Sequence, residues 1–235
     1  MASAVSADER EQAGSGAWRS GLRSTVRRKA ERGRYDRVTI EAILDEAFIC
    51  HLGFCTDEGP VVVPTAYARV GEVLYLHGAP ANQALRTVGE GAPVTLAVTL
   101  VDGLVLARAG FHHSINYRSV MVYGHAHEVR DEAEKRRALD AVVEHIVPGR
   151  TADARGATDG ELRATRVVRV TVDEVSAKVR AGGPVDDPED VEAGGIWAGH
   201  IPLSVTAGPP VPDEEDRQAL PVPEYASHYR RPGRP

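Results

Sequence analysis

Residues 48–78 read FICHLGFCTDEGPVVVPTAYARVGEVLYLHG. Apolar positions alternate with polar or small ones on both sides of Asp57-Glu58-Gly59, and again on both sides of Gly71, which is the period of strands joined by tight turns. The stretch predicts three short antiparallel strands. Upstream, Thr39 stands where a helix N-cap is wanted, and Ile40, Ile43, Leu44 and Ala47 follow at helical spacing. Downstream, ANQALRTVGEG (81–91) is a short helical piece ended by glycine. APVTLAVTLVDGLVLAR (92–108), broken at Asp102-Gly103 into two runs, and NYRSVMVYGHAHEV (116–129) bring the set to six strands. The expectation is a mainly β fold, a six-stranded antiparallel barrel with a few short helices.

The flanks are different in kind. WRSGLRSTVRRKAERGRYDR (18–37) carries eight basic residues against two acidic ones and has little apolar periodicity, so residues 1–37 read as an Arg-rich arm over the chain's own domain or a partner subunit. The barrel domain then spans 38–206, and 207–235, with seven prolines and no period, is a tail that wraps or dangles. Between strand and tail, Asp131 with Glu134 and Thr158 with Glu161 have capping-box spacing, and 165–180 returns to strand character and closes the sheet.

A chain of 235 residues, 42% hydrophobic and 26% charged, is long enough to bury a core. It has no apolar run of the roughly 18 residues that a span needs and no signal-peptide pattern, so the expectation is a cytoplasmic protein without a membrane partner. A net charge of -6 removes the overall positive field of a nucleic-acid binder, and the arm has no stacking aromatics to compensate. Cys50 and Cys55, five positions apart on one strand, fall on opposite faces about 16 Å apart; they neither bridge nor share a metal with His51, and read as buried structural thiols.

Neither a GxGxxG turn nor a GxxxxGK[ST] loop occurs, nor GxSxG or HExxH, and no metal site is expected. The densest polar-aromatic run is Phe111 to Ser119, FHHSINYRS. Two uses fit it: recognition, with Arg118 gripping a phosphate beside Ser114 and Ser119, or histidines and Tyr117 tying down a strand crossover. His77, at a strand end before Gly78, fits either a ligand contact or a structural role, and Trp197 after Gly194-Gly195 either an aromatic lid or a core anchor.

Taken in order, ILDEAFICHLGF, VVVPTAY, LYLHG, VTLVDGLVLARAGFHHSINYRSVMVYG and IWAGHIPL resemble the pyridoxamine 5'-phosphate oxidase-like family, in the branch of nitroimidazole-resistance and flavin-nucleotide-binding proteins. The resemblance runs from about Arg19 to Leu203. It implies a Greek-key-like split β-barrel forming a homodimer, with FMN in clefts between subunits, and an oxidoreductase that moves electrons from NADH or NADPH to oxygen or a small organic acceptor such as a nitro compound. It also implies backbone contacts to the flavin from Val63, Pro64 and Thr65. His77 and Gly78 would lie near the ribityl chain or substrate, with His77 as proton donor. Asn82 and Arg86 would sit at the phosphate, with Ser114, Asn116, Arg118, Ser119 and Trp197 around the flavin. One departure stands out: where many members carry an Arg-Lys pair after LYLHG, this chain has Gln83 and Ala84, and two lost charge-assisted contacts weaken phosphate binding by about 1.5–3 kcal/mol each. Haem on the same barrel, held by His77, His112 or His113, and a non-catalytic flavin carrier are the alternative readings.

Overall fold

The computed structural model describes residues 18–213 and 220–231. The first half of the expected arm (1–17) and parts of the expected tail (214–219, 232–235) lie outside the described residues. Six antiparallel strands form a closed ring: β2 (Ile49–Thr56), β3 (Gly59–Val70), β4 (Val73–Gly78), β5 (Glu90–Leu106), β6 (Ser114–Glu128) and β7 (Arg166–Arg180). Round the ring the order is β7-β4-β3-β2-β5-β6, and β6 pairs back onto β7. Two short strands lie outside it, β1 (Gly33–Arg34) on β7 and β8 (Gly199–Pro202) on β5.

The expected strand number is right but one strand was misplaced. Residues 90–106 are one continuous strand, because Asp102-Gly103 makes a register shift against β6 rather than a break. A side chain at Gly103 would lie 2.8 Å from the Ile201 carbonyl, so this glycine admits β8 against the bulge. The sixth ring member is β7, which sequence reading assigned only to closing the sheet.

Alternation puts Leu52 and Phe54, Val94, Leu96 and Val98, Val120 and Val122, and Val168 and Val170 into one core. Helix α1 (Arg37–Glu46) adds Ile40, Ile43 and Leu44, all buried, and Tyr67 donates from its hydroxyl to the Leu44 carbonyl at 2.5 Å. Its N-cap is Asp36, not Thr39: the Asp36 carboxylate accepts from Thr39 N at 2.8 Å, which places Thr39 three residues inside. Helix α2 (Gln83–Val88) is capped by Asn82, and α3 (Glu132–Ile146) by Asp131. The Thr158–Glu161 box opens α4 (Asp159–Arg163).

The described part of the arm is folded onto its own barrel. Trp18 is buried in the core, and Val175 N donates to the Arg19 carbonyl at 3.0 Å. The tail wraps rather than dangles. Tyr229 donates to the Ile146 carbonyl at 2.8 Å, and Arg231 donates to the Glu46 carbonyl at 2.7 Å while lying over the Phe48 ring. Of the two cysteines only Cys50 is buried, which pushes its thiol up to about 12; Cys55 is exposed, as opposite faces of one strand demand.

The ring closes at a second register shift, between Tyr123 and Gly124. A Cβ at Gly124 would lie 2.0 Å from the Thr171 carbonyl, an overlap that only strand separation relieves. Gly124→Ala is therefore expected to lose about 3 kcal/mol in chemical denaturation. Gly110→Ala, where the added atom meets nothing within 4 Å, stays within about 0.5 kcal/mol of wild type.

Candidate cofactor site

Two groups of the expected site residues sit in different parts of the ring. The first gathers where β3 and β4 diverge. Their ladder ends at Tyr67–Leu76, so His77 and Gly78 lie just past its last pair. On the same side β3 carries no further strand partner among the described residues, while its other edge pairs Val63, Pro64 and Thr65 with Leu52, His51 and Cys50. Backbone groups from 61 to 66 are thus left for another partner, the arrangement a flavin ring with donors and acceptors along one edge can use.

His77 is half-buried, and its Nδ1 is buried with no hydrogen-bond partner. Its strand neighbour on β7 is Val167, and paired residues share a face. That face is the small cluster of Val129, Ala138 and Val167 beneath α3. Burial drives the imidazole pKa below its ordinary 6.5, so His77 is neutral at pH 7. This bears on the proton-donor role that the resemblance implies: a neutral imidazole suits accepting a proton or holding a ligand better than donating one. At Gly78 a Cβ would stand 3.0 Å from Asn82 and Leu85 side-chain atoms, so this glycine lets the start of α2 pack closely against the strand end. Asn82 spends its carbonyl oxygen on capping, accepting from Leu85 N at 3.1 Å, and Arg86 is exposed beside it.

The second group lies along β6. Arg118 does not present a free fork to a phosphate. Its Nε and Nη2 donate to Asp102, both at 2.8 Å, and Nη1 and Nη2 donate to Glu46 at 2.5 and 3.0 Å. Two carboxylates hold the guanidinium charged and leave the trio with a net negative charge. Glu46 is buried, so Arg118 is what makes that carboxylate tolerable inside. Asn116, also buried, is a structural tie: it accepts from Arg180 and donates to the Gly182 carbonyl at 3.0 Å. Ser119 donates to the Lys178 carbonyl at 3.4 Å, and Ser114 pairs with Val105 in the ladder. Sequence reading missed Glu46 and Asp102, because nothing in the spacing 46, 102, 118 announces that a helix end and two strands converge. The same carboxylates, with Arg231, line a cavity of about 500 Å³ roofed by the returning tail.

The loop from Ala109 to His113 resolves the histidines. His112 Nε2 lies 3.1 Å from Asp187, and His113 Nδ1 lies 3.1 Å from the Ala109 carbonyl. A carbonyl only accepts, so the His113 Nδ1 is the donor in this contact, and the ring is exposed. Phe111 is 93% exposed, and Trp197 at 68% exposure is no core anchor. No cluster of three metal-ligating side chains occurs among the described residues, and no described helix is long and apolar enough to cross a membrane.

A sequence profile of the family described as Pyridoxamine 5'-phosphate oxidase matches residues 36–179. The chain belongs to the pyridoxamine 5'-phosphate oxidase-like family. Within it, the flavocytochrome Anf3 from Azotobacter vinelandii is 37% identical, with a TM-score of 0.81 over 88% of this chain and 95% of that one. The FAD and haem binding protein from Mycobacterium smegmatis is 35% identical, with a TM-score of 0.79 over 83% and 95%. A candidate 5-nitroimidazole antibiotic resistance protein from Bacteroides thetaiotaomicron matches at 30% identity and a TM-score of 0.52, over 63% and 86%. No curated protein sequence matches the chain.

Removing Arg118 strands the buried Glu46 charge. Arg118→Ala is expected to lose about 3 kcal/mol or more in denaturant unfolding. For His77 the unfolded chain binds the extra proton, so stability is intact above about pH 6.5 and falls as pH drops below it. His77→Gln is expected to flatten that acid-side decline in melts taken between about pH 5 and 7.

Proposed function

We propose that this chain is a flavin-dependent electron-transfer protein that also carries haem, working as a cytoplasmic homodimer. The observation that carries the haem part is exposed His113, whose ring is oriented by the contact of its Nδ1 with the Ala109 carbonyl at 3.1 Å. An imidazole oriented by its second nitrogen is the arrangement that axial ligation uses. Likeness to a flavocytochrome and to an FAD and haem binding protein over most of both chains supports the same reading. Of the three histidines considered for haem, His112 is turned toward Asp187 and His77 is packed beneath α3, which leaves His113 the best placed.

The flavin part rests on the unpaired β3 edge beside His77. Backbone groups of residues 61–66 bind and orient the ring edge, while neutral His77, with its orphaned Nδ1, holds or accepts a proton there. A flavin supplies hydride acceptance from a reduced nicotinamide, and a haem supplies one-electron transfer to the acceptor. The neutral Gln83 and Ala84 favour FAD over FMN, since a terminal phosphate dianion depends on local cations more than a diphosphate spread between two nucleotides does. Leu104, Ile115 and Ile201 pair across β6, β5 and β8 and are each more than 40% exposed. This exposed apolar row is what supports the homodimer, as the face a second copy would cover.

Absorption spectra of the purified protein test the reading. The expected result is a flavin band together with a Soret band, FAD released on denaturation, and loss of the Soret band alone in His113→Ala. A flavin spectrum reducible by NADH or NADPH with no Soret band reduces the proposal to a flavin oxidoreductase acting on oxygen or a nitro compound. A protein that takes up neither group overturns it.

A further inference from the structure

Where the arm crosses the outer face of β6 and β7 there is a cleft of about 220 Å³. Its cations are Arg23, Arg27, Arg28 and Lys178, and among the described residues no acidic side chain lines it. Arg23 is already compensated, by Glu174 at 3.2 Å and Asp173 at 3.6 Å. Arg27, Arg28 and Lys178 have no ion-pair partner among the described residues, although Lys178 donates to the Arg28 carbonyl at 3.0 Å. Three uncompensated cations thus converge on a chain whose net charge is -6. Ser119, Ser176 and Tyr123 also line the cleft, the Ser119 hydroxyl donating to the Lys178 carbonyl at 3.4 Å.

The arm is held in position to do this. Glu174 reaches up from β7 to accept from Ser24 N and Ser24 Oγ, both at 3.2 Å, and it fills the space beside Gly21, where any Cβ would lie 2.3 Å from its carboxyl carbon. One turn later Lys29 takes the left-handed conformation, φ 57°, which L-residues adopt only when the surroundings fix it. The arginines at 27 and 28 therefore sit on an anchored turn rather than on a loose chain.

We propose that this cleft binds the diphosphate of a nucleotide cofactor. Arginine forks, a lysine and hydroxyl donors around a small space match tetrahedral phosphate oxygens, and the volume admits a diphosphate but not a whole dinucleotide. Two sources share that chemistry, the flavin dinucleotide and the nicotinamide nucleotide that reduces it. The inference rests on the flavin reading above for the identity of the nucleotide, but the anion site itself does not.

The test titrates the as-purified full-length protein with inorganic pyrophosphate, in wild type and in the Arg27→Gln/Arg28→Gln variant. Both side chains are exposed, so the variant's melting temperature is expected to match wild type. Wild type is expected to bind pyrophosphate in a salt-sensitive manner, and the variant to lose about tenfold or more in affinity. If FAD dissociation also accelerates while riboflavin affinity holds, the site serves the flavin; if only the KM for NADH or NADPH rises, it serves the electron donor. Equal pyrophosphate affinity in wild type and variant, or none in either together with an unchanged FAD dissociation rate and an unchanged KM for NADH and NADPH, overturns the site, and a retained flavin spectrum then shows that the flavin reading stands without it. Pyrophosphate binding by a chain that never takes up flavin keeps the anion site and discards the flavin reading.

Discussion

Closure of the ring between β6 and β7 is the constraint on which everything else depends. An open six-strand sheet has two edges and one buried face; pairing Tyr117 through Glu128 with Arg180 back to Val168 removes both edges and turns that face into an enclosed core. Closure demands that two backbones approach where the register shifts, and Gly124 is the residue without a side chain at that point. Once closed, the barrel is filled by Val and Leu from its strands, with Ile40, Ile43 and Leu44 of α1 completing the same core.

The functional features follow from where this ring leaves groups unused. The β3–β4 ladder stops before β3 does, which frees a backbone edge. The strand end next to it carries His77, whose burial favours the neutral imidazole. The β5–β6 connection presents Phe111 and His113 to the outside, held by hydrogen bonds within the loop and to Asp187. Outside the barrel, the arm and β7 together make a positive cleft on a negative protein. In contrast, the most conspicuous charged residue of the polar run, Arg118, is consumed in neutralising Glu46 and Asp102. A part-buried guanidinium between two carboxylates, one of them buried, is part of the scaffold, and its removal is a stability event before it is a binding event.

Much of this was legible along the chain, and the parts that were not share a cause. Period-two alternation from 48 to 78 marks β2, β3 and β4 because each strand presents one face to the core and one outward. Asp131 and Thr158 announce their helices through local capping chemistry, while Thr39 was mistaken for the cap because Asp36, three residues earlier, does the same work. Asp102-Gly103 looked like a strand break because the residues that favour a turn also suit a bulge. Only pairing with β6 on one side and β8 on the other distinguishes the two.

The site shows the same division. Residue type and order marked Phe111 to Ser119 and His77 as places where chemistry gathers, since polar and aromatic groups set against apolar strands call for a partner. Which partner each one has was decided by folding. Glu46, Asp102 and Arg118 meet across a helix and two strands, and Arg27, Arg28 and Lys178 meet across an arm and a strand about 150 positions away. Periodicity is a local property, so a linear reading yields strands, helices and the family they belong to. Charge compensation is a property of space, and only the folded chain tells a guanidinium that is spent from one that is free.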